Sequence, residues 1–122
     1  MEVILDTSFI MSCLKEKIDF LEAESYGKLV LPIQVLEELD TLQEKLGKDK
    51  EQAKLAMDII ESNKDKFKVV DLKKKYVDSG IKDYAKGKEV IVASLDKELK
   101  NSLKGKAKIL TIRARKKLEL VG

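Results

Sequence analysis

The sequence has no histidine and no tryptophan, and only one cysteine and one proline in 122 residues. Each absence removes a chemistry. Without histidine there is no Ser-His-Asp triad, no Cys-His pair, no imidazole general base and no histidine-ligated zinc. Cys13 alone cannot form an intramolecular disulfide, a CxxC redox pair or a cysteine zinc cage. Metal chemistry is left to oxygen ligands, which favour Mg²⁺ or Mn²⁺. Aromatics make up 5% of the residues. The three tyrosines, Tyr26, Tyr76 and Tyr84, form no evident base-stacking platform. No apolar run approaches ~18 residues and no basic leader precedes Val3, so the expectation is a soluble cytoplasmic protein without a membrane segment.

What is present is charge, unevenly placed. Lys and Arg number 25 against 22 Asp and Glu, a formal net charge of +3. Residues 1–46 carry four basic and ten acidic side chains, residues 47–96 twelve and ten, and residues 97–122 nine and two. The near-neutral total hides an acidic front and a basic rear. The rear is a candidate polyanion surface. It holds the only arginines, Arg113 and Arg115.

An apolar content of 43% closes one core, so a single domain over residues 1–122 is expected. Short apolar runs at Val3–Leu5, Leu29–Leu31, Phe67–Val70, Val90–Ala93 and Ile109–Ile112 read as buried strands, with Leu118–Val121 as a short edge strand. Residues 7–14, 18–23, 33–46, 49–63, 76–86 and 97–104 read as helical. Pro32 suits a helix start, and Gly47, Gly87 and Gly105 suit helix ends. The alternation predicts an α/β fold, a three-layer α/β/α arrangement around a central parallel sheet of about five strands.

Ligands in such sheets bind beyond the carboxyl ends of strands, where strand order reverses. Asp6 leaves the first strand and Asp96 follows the fourth. Either alone is an ordinary helix N-cap; together, on two switch-point strands, they mark a site. In the helix at 33–46, Val35, Leu39, Leu42 and Leu46 fall on one buried stripe. Glu38 lies on the shoulder of that stripe, about 60° from Val35, while Glu37 faces solvent. Asp78 sits beside the buried edge formed by Val77, Ile81 and Tyr84, in a first turn where the helix dipole favours an acid. Asp83 points outward. Four carboxylates in one cleft repel unless cations neutralise them, and Mg²⁺ or Mn²⁺ there would activate water without any histidine.

In the helix at 97–104, Lys97, Lys100 and Lys104 share one face and Leu99 and Leu103 the other. With Arg113 and Arg115 these lysines make a candidate RNA-binding, phosphate-tracking surface. For any one of them, an ordinary solvated face is the plainer explanation. Lys73–Lys75, leading into Asp78, read the same way. Cys13 reads as a small core residue.

Ile4-Leu5-Asp6-Thr7-Ser8, then Pro32 with Val35-Leu36-Glu37-Glu38-Leu39, then Tyr76-Val77-Asp78-Ser79-Gly80-Ile81, then Val92-Ala93-Ser94-Leu95-Asp96-Lys97-Glu98-Leu99 resemble, in that order, the PIN-domain nucleases. The resemblance covers nearly the whole chain. It is strongest to the small-subunit ribosomal-RNA processing branch, with VapC-type toxins as the neighbouring branch. It implies catalytic residues at Asp6, Glu38, Asp78, Asp96 and Ser94, with the four acids holding the metal and Ser94 a small hydroxyl where Thr is usual. Ser79 stands where the processing branch often has Asp, which bears on a second metal. The implied activity is a Mg²⁺- or Mn²⁺-dependent endoribonuclease, acting in rRNA processing or as a toxin. Its partners would be RNA, a second copy of the chain as a homodimer, and an antitoxin or a ribosome-assembly factor. The alternative is a non-catalytic PIN-type RNA-binding or assembly module. A phosphoacceptor receiver domain fits less well, since Thr7 follows Asp6 and Arg113 follows the fifth strand. An Asp-x-Asp phosphatase meets Ser8 at its second acid.

Overall fold

Val3-Ile4-Leu5, Leu29-Val30-Leu31 and Val90–Ala93 have no polar alternation because both faces of their sheet are covered by helices. The computed structural model describes all 122 residues. Its elements run β1 (Glu2–Leu5), α1 (Thr7–Lys15), β2 (Lys28–Pro32), α2 (Ile33–Glu44), α3 (Lys50–Ser62) and β3 (Phe67–Val70), then α4 (Val77–Ala85), β4 (Val90–Ala93), α5 (Lys97–Leu103), β5 (Lys108–Arg113) and β6 (Lys117–Val121). The sheet order is β3-β2-β1-β4-β5-β6. Helices α1, α2 and α3 pack together as one layer, and α4 packs on α5 as the other. Thirty-one buried apolar residues form one continuous core between the layers.

The first five strands pair in parallel, and β6 adds an antiparallel edge through a tight hairpin whose Ala114 and Arg115 take φ of 53° and 58°. The chain winds outward from β1 to β3, then returns to lay β4 on the other side of β1. Strand order therefore reverses between β1 and β4. Their register pairs Glu2 with Val90 and Leu5 with Ala93, so Asp6 and Ser94 leave the sheet side by side. Asp6 N donates to Ala93 O at 2.9 Å and Ser94 N to Leu110 O at 3.1 Å, fixing that exit.

Two local expectations are corrected. The segment expected to be helical at 18–23 is a 3₁₀ helix over Phe20–Tyr26, capped by Asp19. Phe20 and Ala23 are buried and Tyr26 packs against the core. That spacing of three matches the eclipsed side chains of a 3₁₀ turn, not the 3.6 period. Helix α2 stops at Glu44, and Lys45 turns to extended backbone. Leu46 is thus thrown off the buried stripe and is 93% exposed. Cys13 is buried in the core, and burial pushes its thiol up to about 12, which makes it inert as a nucleophile. No helix is long and apolar enough to cross a membrane.

Candidate active site

Asp6 caps α1 and is only 4% exposed. A buried carboxylate persists only when donors replace water, and Asp6 has three. Its Oδ1 accepts from Thr7 N at 2.9 Å, and its Oδ2 accepts from Ser8 Oγ at 2.7 Å and Ser94 Oγ at 2.8 Å. Ser94 is fully buried, and its oxygen accepts in turn from Asp96 N at 3.1 Å. Ser8 Oγ accepts from Leu95 N at 3.0 Å. Two hydroxyls thus tie the acid leaving β1 to the backbone leaving β4. Ser94 does not line the cleft itself; it stands behind Asp6 as a positioning residue.

Asp96 caps α5, with Oδ1 accepting from Glu98 N at 2.9 Å and Leu99 N at 3.2 Å. Its Oδ2 takes no part in that cap. Glu38, on α2, accepts through Oε1 from Thr7 Oγ1. Asp78 lies in the first turn of α4, half-buried. Asp6, Glu38, Asp78 and Asp96 all line one cleft of about 750 Å³ at the β1/β4 switch point.

The acids feel one another. Burial pushes the Glu38 carboxyl above its ordinary range, the Thr7 hydrogen bond pulls the other way, and the charges of Asp6 and Asp78 raise it further. Asp78 is raised by burial first, then by the charges of Asp96 and Asp6. Mutual repulsion in an oxygen-only donor set is what a hard divalent cation relieves, so these four residues fit Mg²⁺ or Mn²⁺ in donor chemistry. Their spacing is open, and no three carboxyl groups converge on one point as the side chains stand.

Five of the basic residues picked from the sequence lie elsewhere, while Lys75, from the stretch at 73–75, lines the cleft. Lys97, Lys100 and Lys104 follow Asp96 along α5, whose Leu99 and Leu103 are buried. Arg113 pairs with Glu119 at 3.2 Å, and Arg115 sits in the hairpin turn. None of the five lines the cleft; Lys45 and Lys75 do. Glu37, expected to face only solvent, also borders it. The cleft wall on α2 runs through Gln34, Glu38 and Thr41 to Lys45, the residue that caps the helix. That is a stripe at i, i+4, i+7 and i+11, a periodicity that marks Lys45 once Glu38 is chosen.

A family model described as a PIN like domain matches residues 3–117. Among solved structures, that of the PIN domain endonuclease Utp24 superposes with a TM-score of 0.75 at 28% identity, covering 98% of this chain and 90% of that one. No curated protein matches the sequence. A family match along nearly the whole chain, on a fold shared at this level, means that the chain belongs to the PIN-like domain family.

Proposed function

We propose that the chain is a divalent-metal-dependent endoribonuclease whose active site is the cleft between α2 and α4. One observation carries the reading: carboxylates from four separate elements, Asp6, Glu38, Asp78 and Asp96, line a single cleft at the switch point. The likeness to a PIN domain endonuclease supports nuclease chemistry. Processing of ribosomal RNA is the role we place ahead of a toxin's, on the resemblance of the stretches at 76–81 and 96–99.

Each residue has a task its surroundings allow. Asp6 is held rigid by Thr7 N, Ser8 and Ser94, which leaves it no freedom to swing away from the floor. Asp96 is fixed through Oδ1 and offers Oδ2. Glu38 closes the α2 side and is steadied by Thr7. Asp78 closes the α4 side. Lys45 and Lys75, on the rim, draw a phosphodiester toward a floor that would otherwise repel it. Asp6, Glu38, Asp78 and Asp96 would hold Mg²⁺ or Mn²⁺, which would supply Lewis acidity to offset phosphodiester charge and to activate water without histidine.

The test is cleavage of a single-stranded RNA with Mn²⁺, with EDTA, and by Asp6→Asn and Asp96→Asn. Both variants are expected to lose on the order of 100-fold or more in rate, and EDTA to stop the reaction. Undiminished cleavage by the folded variants overturns the reading. A second reading, a non-catalytic RNA-binding or assembly module, is favoured by the open spacing of the acids. Calorimetry separates the two, since a module binds RNA but gives no heat with Mn²⁺.

A further inference from the structure

Scarce aromatics hide one that is placed where RNA would meet it. Tyr26 and Tyr84 are half-buried against the core, whereas Tyr76 is 65% exposed. Tyr76 lines the acid cleft immediately before α4, two residues from Asp78. The segment that carries it is anchored. Asp71 Oδ1 accepts from Gln34 Nε2 and Lys73 N, each at 2.8 Å, and Leu72 N donates to Gln34 Oε1 at 3.1 Å. Leu72 is buried against Gly80, where an added Cβ would lie 2.7 Å from Leu72 Cβ. Lys73 adopts a φ of 55° and Lys74 pairs with Asp83 at 3.1 Å. Lys75 Nζ lies 5.5 Å from the Tyr76 ring centroid. Lys45 lines the same cleft.

We propose that Tyr76 is a stacking platform for an unpaired base of the RNA substrate, with Lys75 and Lys45 taking the flanking phosphates. The inference rests on the nuclease reading and adds a substrate preference, cleavage next to an unpaired nucleotide. Every base has a π-face, so an exposed aromatic beside cationic side chains grips single strands with little sequence choice. Lys75 Nζ stands over the ring, and the ring is exposed enough for a base to reach it. Bases in a duplex are already stacked on their neighbours and cannot use the platform. The anchored 71–76 segment keeps the ring at a fixed height above the acids, which selects the bond beside the stacked base.

The test is binding in EDTA, where no probe is consumed, of a labelled single-stranded RNA of about eight nucleotides and of a blunt duplex of the same length. Tyr76→Ala is expected to weaken single-strand binding about 10-fold and to leave duplex binding unchanged, with Tyr76→Phe near wild type. The protein lacks tryptophan, so its intrinsic emission is tyrosine's. Single-strand addition should quench that emission in wild type and much less in Tyr76→Phe. With Mn²⁺, Tyr76→Ala should raise KM far more than it lowers kcat. A loss under about 3-fold in folded Tyr76→Ala, an equal loss on duplex, or no single-strand binding by wild type overturns the platform. If Tyr76-dependent binding is found and no RNA is cut, the nuclease reading fails and the platform stands. If RNA is cut and Tyr76→Ala matches wild type, the platform fails and the nuclease reading stands.

Discussion

At the carboxyl ends of β1 and β4, Asp6 is buried under three donors, and Ser8 and Ser94 bridge two strands. On α5 and the β5–β6 hairpin, Lys97, Lys104 and Arg115 stand in solvent. The contrast follows from what each region must do with charge. A carboxylate out of water has to be matched atom by atom, so the cleft is rigid and intolerant of change. Solvated lysines need no partners, act through summed charge, and are individually replaceable. Geometry resides in the first region and attraction in the second.

The sharpest way to break that contrast is to exchange the two kinds of lesion. Asp6→Asn should lower Mn²⁺-dependent cleavage by on the order of 100-fold or more, while RNA affinity in EDTA stays within about 3-fold of wild type. Lys97→Gln should change the rate by less than about 3-fold. Equal losses from the two, measured in single turnover on folded protein, would abolish the distinction between geometry and attraction.

Ser94 tests whether rigidity itself matters. Ser94→Ala removes one buried donor from Asp6 and the acceptor of the part-buried Asp96 N. Denaturant unfolding should show a loss of about 1–2 kcal/mol, and cleavage should fall about 10-fold. Ser94→Thr keeps the hydroxyl and should recover most of the activity. If alanine and threonine behave alike, the hydroxyl is packing and Asp6 is held without it.

Much of the cleft was legible because its parts obey local rules. Asp6 and Asp96 end apolar runs ahead of helices, Glu38 flanks a helical stripe, and Asp78 sits in a first turn. Each is set by its own few neighbours and by the strand order that alternation implies. Leu46 was misplaced because a wheel assumes that its helix continues, and only the turn back to α3 decides where α2 ends. Lys45 follows from the α2 stripe only once Glu38 is chosen. Tyr76 was missed for the converse reason: its place on the rim depends on how far α2 and the 71–76 segment stand apart, a distance that no periodicity encodes.

The basic region sharpens the comparison through salt. Each lysine that meets a phosphate should contribute about 0.7 to the slope of log K against log salt for a single strand. Changing Lys97, Lys100 and Lys104 together to Gln should flatten the slope accordingly and weaken all RNA sequences alike. Arg113→Gln should change it less, since that guanidinium already faces Glu119. A slope unaltered by the triple change would remove the α5 lysines from the contact with the backbone and point to Lys45 and Lys75 at the cleft.

The smallest effect concerns a third polar cluster at the amino end of β1, built like the cleft but with opposite charges already paired. Lys68 Nζ donates to Glu2 Oε2 at 2.8 Å, Tyr84 Oη donates to Glu2 Oε1 at 2.5 Å, and Lys88 Nζ lies 3.6 Å from the Tyr84 ring centroid. The Lys68 bond, then the Tyr84 bond, hold the Glu2 carboxyl below its ordinary range. A lowered carboxyl stabilises the fold above its unfolded pKa of about 4.3, and that contribution is lost as pH falls through the lower folded value. Burial first, then the bond to Glu2, push Tyr84 up to about 12. Its contribution is whole below an unfolded pKa of about 10 and is lost as pH rises toward the folded value. Unfolding measured across pH should therefore show Glu2→Gln flattening the acid limb and Tyr84→Phe the alkaline limb. Cleavage at neutral pH should be untouched by either, because this cluster lies at the far end of β1 from Asp6. A Glu2→Gln curve parallel to wild type in acid would mean that Lys68 and Tyr84 are as well satisfied by water. Paired charges at this end of the strand would then behave like the solvated lysines of α5, and only the buried acid at the other end would be held by its partners.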